Sequence, residues 1–233
     1  MKRSQVNEIL AEADAFIRSF SYALPPFAYW SPTQFLANCS EQGQSLVAER
    51  RLGWDITDYG TGDFEGTGLF LFTVRNGLLT DLQSGGGMLY AEKIMISRKD
   101  QLAPMHKHLI KAEDIINRGG GTLVVELFEQ ANDGQPDPDR QVTVLVDGMP
   151  KTVDGGGKLG LTPGESVTLM PGTWHAFWAE GADVLIGEVS TVNDDETDNV
   201  FREEIPRFSD IQDDVEPVHL LVSDYEAWLA KAE

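Results

Sequence analysis

From about Leu52 to Ser190 the chain consists of short runs rich in Val, Ile, Leu, Thr and Phe, broken at close intervals by glycine clusters. This cadence is the strongest constraint on the fold. Amphipathic helices of ordinary length do not fit between such breaks, whereas strands of about four to eight residues do. The runs are Gly68–Arg75, Met88–Ile96, Thr122–Phe128, Gln141–Val146, Ser166–Leu169, Ala176–Ala179 and Val184–Ser190. Asp147-Gly148 and the clusters Gly85–Gly87, Gly119–Gly121 and Gly155–Gly157 read as tight turns, because glycine reaches positive φ without a Cβ clash. Many short strands with regular turns indicate a mainly β sandwich or jelly-roll barrel.

The flanks differ. Val6, Ile9, Leu10, Ala13, Phe16, Ile17 and Phe20 recur every three or four residues, the mark of a helix with one apolar face. Ser31-Pro32 ahead of Thr33-Gln34-Phe35-Leu36 reads as an N-cap followed by Pro at the first helical position. The 233 residues are expected to form one domain: a helical layer over 1–50, a barrel core over 51–195, and an acidic loop with a short helix, Asp224–Lys231, over 196–233. A net charge of −20 offers no basic stripe to a nucleic acid. Cys39 is the single cysteine, so no intrachain disulfide can form. No run approaches the roughly 20 apolar residues that span a bilayer. A soluble, cytoplasmic protein is expected.

The chain has four histidines, and three of them fall in two telling places. In Met105-His106-Lys107-His108, a strand would project both imidazoles from one face. Glu113 follows after a bend. Farther on, a Pro171-Gly172 turn leads to His175. A bare His-x-His recurs by chance, but the joint pattern points to one ion held by His106, His108, Glu113 and His175. Three neutral nitrogens and a carboxylate suit Mn²⁺, Fe²⁺, Co²⁺, Ni²⁺ or Zn²⁺ and leave positions open. His219, in an apolar stretch, reads as a packing or surface residue. Asp194, Asp195 and Asp198 read as a solvated or substrate-rim loop without EF-hand spacing. Trp174, Phe177 and Trp178 either wall the site or fill the core.

These stretches resemble the paired cupin motifs, with Gly120 at the glycine of the first and Gly164, Gly172 and His175 matching the second. Met170 stands where that motif has Pro, and Ala179 where it has Asn. More narrowly, the chain resembles the D-lyxose isomerase family. The runs that carry this are Leu24–Phe27, Leu52–Asp55, Leu71–Gly77, Tyr90–Met95, Glu113–Gly121, Gly187–Ser190 and Val192–Asp195, in order along nearly the whole chain. The resemblance implies a cupin jelly-roll with the helices outside. It implies a homodimer, usually with Mn²⁺, that interconverts D-lyxose with D-xylulose and D-mannose with D-fructose.

Moving a proton between C1 and C2 of a sugar passes through a cis-enediol, which a metal would stabilise and a base must serve. Lys93 shares a strand face with Ala91 and Met95. Pattern alone makes it an ordinary lysine, while the resemblance places it in the site. Glu188 sits in the apolar run Leu185–Ser190, so it has either a role or a salt-bridge partner. By residue pattern Glu203 and Arg207 are merely part of an acidic loop. The resemblance makes Glu203 the base and Arg207 a substrate clamp, with the choice between Glu203 and Glu204 resting on register. Two other readings share the ligand set: a cupin dioxygenase using Fe²⁺ and a non-catalytic sugar-binding cupin.

Overall fold

In the computed structural model, which describes residues 1–39 and 45–231, two helices precede a long run of antiparallel strands. The helices are α1 (Arg3–Ser19) and α2 (Pro32–Cys39), with a 3-10 turn at Pro26–Tyr29 between them. Then come β1 (Gly53–Thr57), β2 (Leu69–Arg75), the short α3 (Leu79–Ser84), β3 (Tyr90–Ser97), β4 (Ala103–His108) and β5 (Glu113–Gln130). They are followed by β6 (Pro136–Asp137), β7 (Val142–Val146), β8 (Met149–Val153), β9 (Gly157–Leu161), β10 (Ser166–Leu169), β11 (Trp174–Thr191), β12 (Asn199–Phe201) and α4 (Tyr225–Ala230). Residues 40–44 of the expected helical layer lie outside the described residues.

β5 and β11, 18 residues each, run side by side and bend together. Past the bend, β11 from Val184 to Thr191 pairs with β3, and β5 from Glu113 to Ile116 pairs with β10. This gives one layer in the order β1-β2-β3-β11-β5-β10-β7-β8. Before the bend, β11 pairs with β4 at His175 and Phe177, β12 pairs with β4, and β9 pairs with β5 over Leu123–Leu127. No pairing joins β1 to β8 among the described residues, so the sheet is open, not the closed barrel expected.

The crease corrects two further expectations. Ala176–Ala179 and Val184–Ser190 are one bent strand, and Gly119–Gly121 is no turn between strands but lies inside β5. At the crease the ladder slips between Glu180 and Val184, and Gly119 and Gly120 take φ of 152° and 103°. A Cβ on Gly120 would stand 2.0 Å from the Asp183 carbonyl oxygen, and one on Gly121 2.3 Å from that of Glu180. Glycine here permits close approach of two backbones instead of ending the strand. Asp147-Gly148 does turn the β7–β8 hairpin, with φ of 50° and 78°.

The two layers close over a shared core, in which Leu71, Met95, Ile115 and Ile186 pack with Leu123, Val125, Leu127 and Phe177. On the outer face of β1–β3, Trp54, Phe70, Phe72, Ile94 and Ile96 lie under Val6, Ile9, Leu10, Ala13 and Ile17 of α1. The three- and four-residue spacing of α1 therefore does what its pattern implies. Arg3, buried at its start, forks onto Asp224 at 2.9 and 2.7 Å and reaches Asp213 at 2.8 Å, which ties α1 to the C-terminal segment. Ser31 Oγ accepts the Gln34 amide at 3.3 Å, as its capping position predicts. The segment expected to be loop after residue 195 contains β12, whose pairing with β4 draws it to the site. No helix among the described residues is long and apolar enough to cross a membrane.

Candidate active site

Alternation along β4 turns His106 and His108 into the space between the layers and Lys107 the other way. There Lys107 Nζ donates to Gln130 Oε1 and the Gly134 carbonyl and lies 4.7 Å from the Trp174 ring centroid. His175 stands opposite His106 across the ladder. Ring nitrogens of His106, His108 and His175 lie within 4.8 Å of one another. Nδ1 of His106 is 2.8 Å from the Pro104 carbonyl, and Nδ1 of His175 is 3.1 Å from that of Thr173. A carbonyl only accepts, so each Nδ1 carries a proton and each Nε2 is the nitrogen turned toward the cavity.

Glu113 Oε1 approaches to 3.4 Å from His108 Nε2 and 3.2 Å from His175 Nε2. Both Glu113 Oε1 and His175 Nε2 are buried without a hydrogen-bond partner. Burial, with the neighbouring imidazoles His175 and His108, holds His106 well below the usual histidine range. Burial and then Lys111 lower His108. Burial alone would push Glu113 up, but Lys111 and His108 outweigh it and leave the carboxyl well below its usual range. Imidazole nitrogens and an ionised carboxylate that converge in a buried space are an unfavourable arrangement by themselves. A divalent cation relieves it, so the histidine triad fits a divalent metal.

The cavity continues away from the triad through a network of charged groups. Lys111 Nζ lies 2.7 Å from Glu113 Oε2 and 3.0 Å from Glu188 Oε1. Lys93 Nζ lies 3.4 Å from the same Glu188 oxygen and donates to Asn193 Oδ1 at 2.6 Å. Asn193 Nδ2 donates to Asp195 Oδ2 at 2.9 Å, and Asp195 Oδ1 stands 3.5 Å from Arg207 Nε. Arg207 Nη2 donates to Asp55 Oδ2 at 2.7 Å. Burial would raise Glu188, but Lys111 and Lys93 reverse the shift and keep it ionised. Asp195 is likewise lowered, by Arg207 and then Lys93 against burial, whereas burial keeps Asp55 raised despite Arg207. Tyr59, Leu71, Phe177 and Phe201 wall the cavity.

Of the residues singled out in the sequence, His106, His108, Glu113, His175, Lys93, Glu188 and Arg207 all line this cavity. Glu203 does not: its side chain is 71% exposed and pairs with Arg202 at 3.1 Å. Glu204 is exposed as well. β12 ends at Phe201 and the chain turns outward before Arg207 returns inside, so the proposed base is directed away from the cavity. Of the acidic loop, read as solvated or substrate-rim, Asp195 lines the cavity and is half-buried, Asp198 is buried, and Asp194 caps its own turn through Thr197. His219 packs, with Nδ1 3.0 Å from the Trp30 carbonyl and its ring stacked over Trp54. Phe177 faces the cavity while Trp174 and Trp178 sit on the other face of β11.

Lys111, Asn193 and Asp55 were missed. For Asp55 a signal existed: a carboxylate inside the apolar strand Trp54-Asp55-Ile56 is the same anomaly that marks Glu188. Lys111 lies in a turn, where no alternation rule says which way a side chain faces.

The D-lyxose isomerase family model matches residues 1–225. A D-lyxose/D-mannose isomerase from Serratia proteamaculans is 46% identical over 99% of this chain and 100% of that protein. One from Escherichia coli O157:H7 is 45% identical over 95% of this chain and 96% of its own length. Among solved structures, the Cellulomonas parahominis L-ribose isomerase with L-psicose aligns with a TM-score of 0.60 at 16% identity, covering 91% of this chain and 98% of that one. At that identity it speaks for the fold alone. By the family match and the identity over nearly its whole length, this chain belongs to the D-lyxose isomerase family and is an isomerase.

Proposed function

We propose that this protein is a metal-dependent aldose–ketose isomerase on a cupin jelly-roll scaffold. It interconverts D-lyxose with D-xylulose and D-mannose with D-fructose through a cis-enediol intermediate. The observation that carries this reading is the ionised, buried Glu188, held between Lys93 and Lys111 in the same cavity as the converging side chains of His106, His108, His175 and Glu113. A divalent ion bound by those four residues, Mn²⁺ in this reading, supplies Lewis-acid polarisation of the substrate carbonyl.

The rest is the work of the chain's own side chains. Glu188 accepts the carbon-bound proton and returns it to the neighbouring carbon, a role open only to an ionised carboxylate with access to the substrate. It replaces Glu203, whose carboxylate lies in solvent. The ammonium groups of Lys93 and Lys111 stand ready to donate hydrogen bonds to the substrate oxygen as it gains charge. Arg207 Nη1 is buried and has no partner, so it offers a donor to a sugar hydroxyl. Lys93, Lys111 and Arg207 all face carboxylates, so among the described residues of the cavity no cation is left over for a phosphate. That supports a free sugar, as the relatives' activity does. A cytoplasmic homodimer completes the proposal, and sedimentation at micromolar concentration is expected to give the dimer mass.

The test is to strip the protein with a chelator, restore each divalent ion in turn, and assay D-lyxose and D-mannose. Mn²⁺ is expected to restore turnover, and C2 of mannose to exchange its proton with deuterated solvent. Turnover without exchange would replace proton transfer by a hydride shift. Turnover of neither sugar in Mn²⁺-loaded wild type would refute the proposed function.

A further inference from the structure

His108 differs from its two companions. His106 and His175 each set Nδ1 against a backbone carbonyl, but Nδ1 of His108 is buried and has no hydrogen-bond partner. A carboxylate oxygen, Asp198 Oδ2, stands 3.9 Å from it. Asp198 is itself 5% exposed. Its Oδ1 accepts the backbone amides of Leu109 at 2.9 Å and Ile110 at 2.7 Å, and its Oδ2 accepts that of Lys111 at 3.0 Å. These amides belong to the turn that joins His108 to Glu113. The pairing of Asn199 with His108 brings Asp198 there, at the head of β12.

We infer that Asp198 is the outer carboxylate of the metal centre, a positioning residue that accepts the Nδ1–H of His108 and clamps the turn carrying Lys111 toward Glu113. The inference rests on the metal reading of the histidine triad. When Nε2 of His108 serves as a ligand, its proton resides on Nδ1, and a buried N–H without an acceptor is destabilising. Closing 3.9 Å to an ordinary hydrogen bond takes a shift of roughly 1 Å. Oδ2 keeps lone-pair capacity after binding the Lys111 amide. A carboxylate behind the ring raises its basicity in a way a neutral carbonyl does not. The triad would therefore be asymmetric, with one imidazole backed by a charge and two by backbone. Asp198 would also couple the ligand turn to the loop that carries Asp195, and through it to Arg207.

The experiment uses the full chain stripped of metal and titrated with Mn²⁺ and Zn²⁺ against a competing chelator. Asp198→Asn is expected to weaken binding about 10- to 100-fold, the scale of losing such an outer partner. Asp194→Asn, in the same loop but bonded only within its own turn, should stay within about twofold of wild type. A merely structural role would lower the melting temperature of the metal-free protein and leave the imidazole protons alone. The proton spectrum of the Zn²⁺-loaded protein separates the two. One downfield Nδ1–H resonance, assigned by its absence in His108→Gln, is expected to vanish in Asp198→Asn while those of His106 and His175 persist. Wild-type affinity in Asp198→Asn overturns the inference. So does the lack of a protected His108 Nδ1–H in loaded wild type, a measurement that stands even if the variant fails to fold. Failure of wild type to take up any divalent ion would instead remove the metal reading itself.

Discussion

On β3, Ile94 and Ile96 point under α1, while Lys93 and Met95, one residue out of step, point into the cavity. The neighbouring strands divide in the same way. Trp54 and Phe72 join the outer face, Asp55 and Glu188 the inner one. The outer face is apolar and sealed by a helix. Each large side chain buried there contributes about 1.5–3 kcal/mol to folding. The inner face sets the carboxylates Glu113, Glu188, Asp195 and Asp55 against the cations Lys93, Lys111 and Arg207. Buried pairs of that kind roughly offset their own desolvation, so they add little to stability. Strand alternation thus gives the outer face packing alone, whereas the inner face carries the charged cavity beside the shared core of Leu71, Met95, Ile115 and Ile186.

That division can be broken by mutation. The largest effect is expected from Phe72→Ala. The ring is fully buried, stacks on Phe27 at 5.4 Å and meets Trp54 edge-on at 4.7 Å. Chemical denaturation should register a loss of about 3–5 kcal/mol, and kcat measured well below the melting temperature should stay near wild type. A collapse of kcat in folded protein would mean that the two faces are coupled. Next comes Glu188→Gln on the inner face. The amide keeps the shape but cannot accept the proton, so kcat should fall roughly a hundredfold or more, with KM changed far less. Lys111 keeps Glu113 at 2.7 Å and Lys93 keeps Asn193 at 2.6 Å, so the fold should survive.

The same alternation explains what the sequence discloses. The period-two pattern of β4 was enough to bring His106 and His108 together, and the three- and four-residue pattern of α1 enough to place it outside. Glu188 stood out because a carboxylate inside an apolar strand needs a partner. Where local rules lapse, the reading lapsed with them. Lys111 sits in a turn whose course is set by Asp198, nearly ninety residues later in the chain. Gly119–Gly121 looked like a turn because a glycine cluster in sequence does not distinguish a chain reversal from a crease. The open sheet follows from which strand edges find partners, and hydrophobic pattern says nothing of that.

The smallest expected effect falls on the residue that most sharply tests the comparison. Glu203 follows β12 by only two positions, yet its side chain is in solvent and its partner, Arg202, is half exposed too. An exposed ion pair of this kind contributes about 0–1 kcal/mol. Glu203→Gln should therefore change both melting temperature and kcat hardly at all, with turnover on lyxose and mannose within about twofold of wild type. The opposite outcome would be specific. If Glu203→Gln lowers kcat as far as Glu188→Gln does, the carboxylate must reach the substrate in a conformation in which residues 202–206 fold inward over Phe201. The double variant then discriminates between two arrangements. Losses that multiply would assign the glutamates to separate steps, whereas a double loss no larger than either single one would make them parts of one proton path. With Glu203 where it stands, outside the cavity, the double variant should behave as Glu188→Gln alone.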